Sequence, residues 1–248
     1  MSNLQNCMKK LLLCCIKNSK YWIALFLFLL LNIILKMFFV DIFCVSGDSM
    51  YPTLKNGDYV VLGKFYGGMR LPRNVYEIPW IGSIAYYLTE KEAVDSILEQ
   101  SKNKKFERFA ENFASLDSGD LVAFNNPLAL NNCVVKRCVG MPGDSICWHI
   151  EDNSELRMLF PFSVVPYKGM KISEKSLHNE EKVLIKRNRA FRYDEKDSSY
   201  VAVDDCYIML GDNRKSSIDS RHFGFISKDL ILGKVVYVLS GGSNKKNN

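Results

Sequence analysis

Histidine is scarce in this chain: three residues, at 149, 178 and 222, among 248. None lies in an HExxH pattern, so a zinc protease of that type has no ligand set here. The eight cysteines, at 7, 14, 15, 44, 133, 138, 147 and 206, include no pair at CxxC spacing. Metal binding is therefore unsupported, and neither a metal nor a cofactor is expected. Asp and Glu are missing from the first forty residues, where Lys9, Lys10, Lys17, Lys20 and Lys36 supply most of the formal charge of +6. With Lys245 and Lys246 also set aside, residues 41–244 sum to −1. A nucleic-acid binder carries its positive charge on the folded surface, where it displaces phosphate counterions, so that class is excluded. The SxxK matches at Ser101–Lys104 and Ser243–Lys246 come without KTG or SDN, which removes the penicillin-binding class. Gly47-Asp-Ser-Met-Tyr51 begins like a nucleophile elbow but lacks the closing glycine. There is no internal repeat.

What is present is an ordinary globular balance, 48% hydrophobic and 24% charged, in a chain long enough for one domain and an appendage. The appendage is N-terminal. Tyr21–Leu35 is fifteen residues without a charge; extended to Val40 the segment contains only Lys36. Twenty residues at about 1.5 Å rise span a bilayer core of roughly 30 Å, and Lys36 sits near the distal end, where its stem can snorkel. The lysine-rich flank keeps residues 1–20 in the cytoplasm and sends the body across, so the protein reads as single-pass. A cleaved secretory leader fits less well: twenty residues precede the apolar run, and the best small-x-small site is Cys44-Val45-Ser46. In this topology Cys133 and Cys138 face an oxidising compartment, and a disulfide or two free thiols are both open.

After the span come short runs rich in β-branched and aromatic residues: Asp58–Leu62, Asp120–Phe124, Cys133–Val139, Asp205–Leu210 and Leu230–Leu239. Gly-Asp pairs precede the first two, and Met141-Pro-Gly-Asp144 is a turn expected to fold Cys133–Val139 back on Ser145–Ile150. The expected fold is mainly β, an antiparallel sheet or coiled β-barrel over 41–240, with a helical insertion at 70–117, a variable region at 151–199 and a disordered tail at 241–248. In the insertion, Thr89-Glu-Lys-Glu92 matches a capping box ahead of Ala93, Val94, Ile97 and Leu98. Phe106, Phe109, Ala110, Phe113 and Ala114 suggest a second helix. The apolar stretch Ile78–Leu88 has two readings, resting on the bilayer or packing on its own domain.

Three segments carry the chemistry: Ser46-Gly-Asp-Ser-Met-Tyr-Pro-Thr-Leu54, Lys136-Arg-Cys-Val-Gly-Met-Pro-Gly-Asp144, and Gly211-Asp-Asn-Arg-Lys-Ser-Ser-Ile-Asp-Ser-Arg-His-Phe-Gly224. In order, spacing and position after an anchor, they resemble the blocks of the type I signal peptidases, membrane-anchored serine proteases that use a Ser–Lys dyad. The resemblance covers about 44–150 and 200–240, and it implies the bacterial inner membrane as the location, with the catalytic domain on the extracytoplasmic side. It implies Ser49 as nucleophile, Lys136 as general base, Ser217 as the serine that orients the lysine, and Asp212, Asp219 and Arg221 as bracing groups. Met50 and Pro52 are expected to shape the floor of the site, and His222 is expected to be structural.

The residues themselves make sense of the pairing. A serine hydroxyl is a poor nucleophile until a neighbour takes its proton. A lysine can do so only if burial pulls its pKa well below about 10.4. Alternation along a strand sends Lys136 and Arg137 to opposite faces, so one can be dry while the other stays wet. The backbone N–H of Ser49 is the first oxyanion donor. Some family members add a serine hydroxyl two residues earlier; Gly47 stands there in this chain, so a second N–H or a water takes that part. Eight residues separate Val40 from Ser49, which keeps the nucleophile within about 30 Å of the end of the span. The implied partners are the lipid bilayer and exported preproteins with small residues at P1 and P3, and the implied activity is their cleavage through an acyl-enzyme. Two other readings stand beside this one: a specialised processing peptidase for one pilin-like or conjugative substrate, and a catalytically silent membrane-tethered β domain.

Overall fold

The computed structural model describes residues 19–102, 108–110, 114–127, 129–145, 164–177 and 179–241. Expectations for residues 1–18, for Phe106 and Phe113, for most of Ser145–Ile150 and for the tail from 242 lie outside them. Helix α1, Ser19–Ile34, continues through a π-type turn, Leu35–Phe39. Its composition is apolar on all sides and none of it is buried. By length and composition, Lys20–Phe39 is able to cross a membrane. Asn32, its lone amide, satisfies itself by donating to the Phe28 carbonyl one turn back, at 2.8 Å.

The turn passes directly into the body of the protein, a seven-stranded antiparallel sheet in the order β1-β2-β12-β5-β6-β10-β11. The strands are β1 Val40–Cys44, β2 Tyr59–Gly63, β5 Leu121–Asn126, β6 Ala129–Gly140, β10 Cys206–Leu210, β11 Ile226–Ser227 and β12 Ile231–Leu239. All five runs expected as strands are therefore strands. The body is mainly antiparallel β, as expected, and among the described residues no pairing joins β1 to β11, so no closed barrel is seen. Alternation along β5 sorts the core: Val122 and Phe124 pack with Met209, Ile226 and Ile231, whereas Ala123 packs with Met50, Leu54, Val60 and Leu62. Each fully buried side chain of this size contributes about 1.5–3 kcal/mol. Two smaller sheets flank the main one: β3 (Met69–Arg70) with β4 (Arg108–Ala110), and β7 (Lys171–Ser173), β9 (Ser199–Ala202) and β8 (Phe191–Asp194), the last group packed with helix α4 (Asn179–Arg187).

Three local expectations need correction. The insertion carries helices α2 (Ile81–Leu88) and α3 (Lys91–Lys102), but Arg108–Ala110 is a strand. A short apolar run is ambiguous between the two periods, and here pairing with Met69–Arg70 decides it. Thr89 closes α2 rather than opening α3, since its hydroxyl donates to the Ala85 carbonyl at 2.8 Å. The Met141–Asp144 turn forms, with Gly143 at φ 88° and Asp144 N–H donating to Met141 O at 3.0 Å. Of Ser145–Ile150, only Ser145 is described, and it bridges Val164 and not β6.

Cys44, Cys133, Cys138 and Cys206 are free thiols. Cys133 and Cys138 are five residues apart on β6, so they face opposite sides of the sheet at a separation no disulfide spans. Burial raises both thiols to about 12.

Candidate active site

The first block forms the loop between β1 and β2. Asp58 closes it: its carboxylate accepts the Lys55 N–H at 2.8 Å and the Gly241 N–H at 3.1 Å, while Val45 N–H donates to the Asp58 carbonyl at 2.7 Å. Met50 and Leu54, 2% and 0% exposed, pin the loop to the core, and Ser49 sits half-buried beside them. Pro52 is exposed. Gly47 takes φ 90°, a backbone region that an L side chain rarely adopts, and its N–H is engaged by Asn56 Oδ1 at 3.4 Å.

The second block lies on β6, directly across from β5, with Lys136 opposite Val122. Lys136 shares its face with Val134 and Cys138, which belong to the core cluster containing Val122. Only 3% of it is exposed, and its amine meets the Ser49 hydroxyl at 2.5 Å. Burial drives its pKa below the ordinary lysine value; the Asp219 and Asp212 charges pull it back up, and the Arg221 charge pushes it down. Arg137 turns the other way, as the alternation predicts. Its guanidinium forks onto Asp212, Nε to Oδ1 at 2.8 Å and Nη2 to Oδ2 at 2.7 Å, and Nη1 reaches the Gly119 carbonyl at 2.7 Å. The Thr53 hydroxyl donates to the same carboxylate at 2.5 Å. The Arg137 hydrogen bonds hold Asp212 below the usual carboxylate range.

The third block begins where β10 ends, with Leu210 opposite Arg137. Asn213 fastens it to the first block: its backbone N–H donates to the Ser49 carbonyl at 3.0 Å and its side chain to the Asp48 carbonyl at 3.1 Å. The chain then enters a short helix, α5, Ser220–Phe223, capped by Asp219. Asp219 is fully buried; it takes the Gly211 N–H at 2.9 Å and two arms of Arg221, Nε at 2.8 Å and Nη2 at 3.0 Å. Burial pushes Asp219 up, but these donors more than offset it and keep its pKa low. His222 Nδ1 accepts the Asp219 N–H at 3.3 Å, a capping contact and not a catalytic one. Ser217 is buried in the same pocket at 6% exposure. Its hydroxyl helps to hold Asp219 down, but among the described residues it makes no hydrogen bond of normal geometry, to Lys136 or elsewhere.

The structure thus brings Ser49, Lys136, Ser217, Asp212, Asp219 and Arg221 into one site, with Met50 beneath it. Sequence reasoning missed three further contributors. Arg137 is more than the wet neighbour of Lys136, because it holds Asp212. Asn213 ties two blocks together. Gly211 is squeezed: a Cβ there would stand 2.1 Å from Ser217 Oγ and 2.7 Å from the Ser49 carbonyl oxygen. Only the presence of Gly211 and Asn213 within the third block hinted at either. A cavity of about 300 Å³ lined by Met37, Lys64, Arg70, Arg73, Glu77 and Leu232 includes none of the site residues.

A family model described as signal peptidase, peptidase S26, matches residues 19–240. The signal peptidase I of Pseudomonas aeruginosa is 26% identical over 224 residues, a match covering 86% of this chain and 66% of that protein. The signal peptidase I of Buchnera aphidicola subsp. Schizaphis graminum is 24% identical over 259 residues, covering 86% and 72%. For that of Bacillus caldolyticus the values are 25% over 203 residues, 81% and 80%. Among solved structures, a signal peptidase I from Enterococcus faecalis V583 is 21% identical and aligns over 49% of this chain and 97% of its own, with a TM-score of 0.27.

Proposed function

The chain belongs to the signal peptidase family, peptidase S26, and on that premise we propose that it removes signal peptides from exported preproteins as a membrane-anchored serine endopeptidase. Ser49 is the nucleophile and Lys136 the general base. One observation carries the assignment: a lysine amine 3% exposed, with a pKa lowered by burial, lies 2.5 Å from a half-buried serine hydroxyl.

In its neutral form the Lys136 amine accepts the Ser49 proton as Oγ attacks the scissile carbonyl carbon. The Ser49 backbone N–H donates to the oxyanion. Collapse breaks the C–N bond, and the new ammonium of Lys136 returns the proton to the departing amine, leaving an acyl ester on Ser49. Lys136 then takes a proton from water as its oxygen attacks the ester; the tetrahedral adduct expels Ser49 Oγ, and the Lys136 ammonium returns the proton to it, freeing the serine and the acid product. Arg137–Asp212 and Arg221–Asp219 act as positioning pairs: the first fixes the start of the third block against β6, and the second holds the turn that carries Ser217.

The path of the substrate follows from β6. On the side away from β5, β10 pairs only from Arg137 onward, so among the described residues no strand lies against Cys133–Lys136 on that side. An extended peptide added to this edge runs past the dyad, which supports recognition through backbone hydrogen bonds with small side chains at P1 and P3. Residues 21–40 are the anchor, supported by the length and high apolarity of α1 and its π turn, in which Lys36 is the one charge; the catalytic body, 41–240, stands on the extracytoplasmic side. Ser49→Ala and Lys136→Ala are each expected to abolish cleavage of a synthetic signal peptide while leaving the thermal unfolding cooperative. The wild-type rate should rise with pH through a base limb below the ordinary lysine value. Substantial turnover by either variant would falsify the dyad.

A further inference from the structure

The exposed part of the insertion is unusual for a soluble surface. From Ile78 to Leu88 there is no charged residue, and Trp80, Ile84, Tyr86, Tyr87 and Leu88 are 61%, 60%, 52%, 87% and 82% exposed. Within α2 only Gly82 is buried. A helix apolar on all sides belongs in a core or in lipid, and this one is not in the core. It is nevertheless firmly placed. Gly82 lies against the 3-10 turn Val75–Glu77, where a Cβ would meet the Tyr76 carbonyl at 2.1 Å. Glu77 of that turn holds Arg73 at 2.7 Å, and both line the cavity that Met37, from the end of the membrane-length segment, also lines. Trp80 itself stacks beneath the Lys36 ammonium, 4.8 Å from the ring centroid.

We infer that α2, with Trp80 at its head, is an interfacial membrane helix that lies at the headgroup–acyl boundary beside the end of the anchor. Lys36 sets its level. It lies three residues before the end of the membrane-length segment Lys20–Phe39, and the Trp80 ring is held against it there. One tryptophan, two tyrosines and branched aliphatics without charge form the composition that the bilayer interface takes up, where amphipathic rings sit among headgroups. The occupant is lipid, and not a second copy of the chain, because the patch adjoins a segment of membrane-spanning length and shares a contact with it.

This inference rests on the anchor reading, and the test separates the two. The full chain is reconstituted in phosphatidylcholine–phosphatidylglycerol vesicles as two single-tryptophan forms. One retains Trp80 (Trp22→Phe, Trp148→Phe) and the other Trp22 (Trp80→Phe, Trp148→Phe); cleavage of a soluble synthetic peptide verifies that each is folded. Lipids brominated high on the acyl chain should quench Trp80 more than lipids brominated near the chain end, and acrylamide should quench it less than it quenches free tryptophan. On the Trp80 background, Ile84→Glu with Tyr87→Glu should lower the bromolipid quenching and raise the acrylamide quenching. If Trp22 is quenched by bromolipid and Trp80 is not, the interfacial helix is wrong and the anchor stands. Trp80 shielded from acrylamide without bromolipid quenching means that protein covers the patch, which likewise overturns the interfacial helix and spares the anchor. If neither tryptophan is quenched, the anchor reading fails and takes this inference with it.

Discussion

Replacing Gly211 by alanine adds one carbon to the molecule, and the structure indicates what that carbon meets. Its nearest neighbours would be Ser217 Oγ at 2.1 Å, Ser217 Cβ at 2.5 Å and the Ser49 carbonyl oxygen at 2.7 Å. Ordinary contact begins at 3.4 Å, so the closest pair must separate by about 1.3 Å. Ser217 Oγ can turn about χ1, but Ser217 Cβ and the Ser49 carbonyl oxygen are fixed to the backbone and cannot. Ser217 is buried, and the Ser49 carbonyl is held by the Asn213 N–H at 3.0 Å. The shift therefore passes into the backbone of Ser49, the proposed nucleophile. Overpacking of this kind costs about 1–3 kcal/mol of stability. A displacement of about 1 Å at a reacting group costs on the order of 100-fold in rate, and that is the expected fall in kcat/KM on a synthetic signal peptide. Thermal unfolding recorded on the same samples separates lost molecules from slowed ones. Gly140→Ala is the control, since the three atoms nearest its Cβ all belong to the Ile208 side chain, at 3.1 Å. A Gly211→Ala enzyme within about twofold of wild type per folded molecule would refute the argument that this close approach sets the geometry of Ser49.

Two further expectations concern charge. Lys136→Met should stabilise the fold at neutral pH while removing activity. The folded-state pKa is depressed, so at pH values below it the native state carries a penalty of about 1.4 kcal/mol per unit of depression. That penalty fades as the pH climbs to the ordinary lysine value, and the advantage of the methionine should fade with it; urea midpoints across this range that show no gain at pH 7 contradict a dry amine. Asp219→Asn strips the counter-charge from Arg221 at a fully buried position, a loss of about 3–5 kcal/mol. Because the Asp219 pKa is lowered, its contribution is complete above the ordinary carboxylate value and disappears as pH falls through the folded one. Wild-type and variant denaturation midpoints should therefore converge in acid, and a constant gap would show that charge is not the cause.

Strand positions were legible because Gly-Asp turns and β-branched runs are local signals, and so was the opposed orientation of Lys136 and Arg137, which follows from a period of two. The order of the strands was not, since β12 inserts between β2 and β5 through pairings more than a hundred residues apart. The partnership of Arg137 with Asp212, 75 residues away, is equally invisible before the third block is brought to β6. Gly211 and Asn213 stood within a recognised block, yet their reasons are steric and topological and exist only in the folded chain. The insertion misled in a different way. Its periodicity was real, but Thr89 has as much to gain from ending one helix as from starting the next, and only tertiary packing chooses.

The junction between α1 and β1 has no loop. Val40 N–H still bonds to the Leu35 carbonyl while Val40 already pairs with Gly63, and Lys64 clamps the splice, 2.8 Å from both the Lys36 carbonyl and the Asp41 carboxylate. With no swivel at this point, the sheet keeps one height and one heading relative to the helix. On the proposed anchoring and activity, the enzyme would meet its targets by drifting sideways in the bilayer, and the bond it severs would be set by how far that bond stands above the lipid.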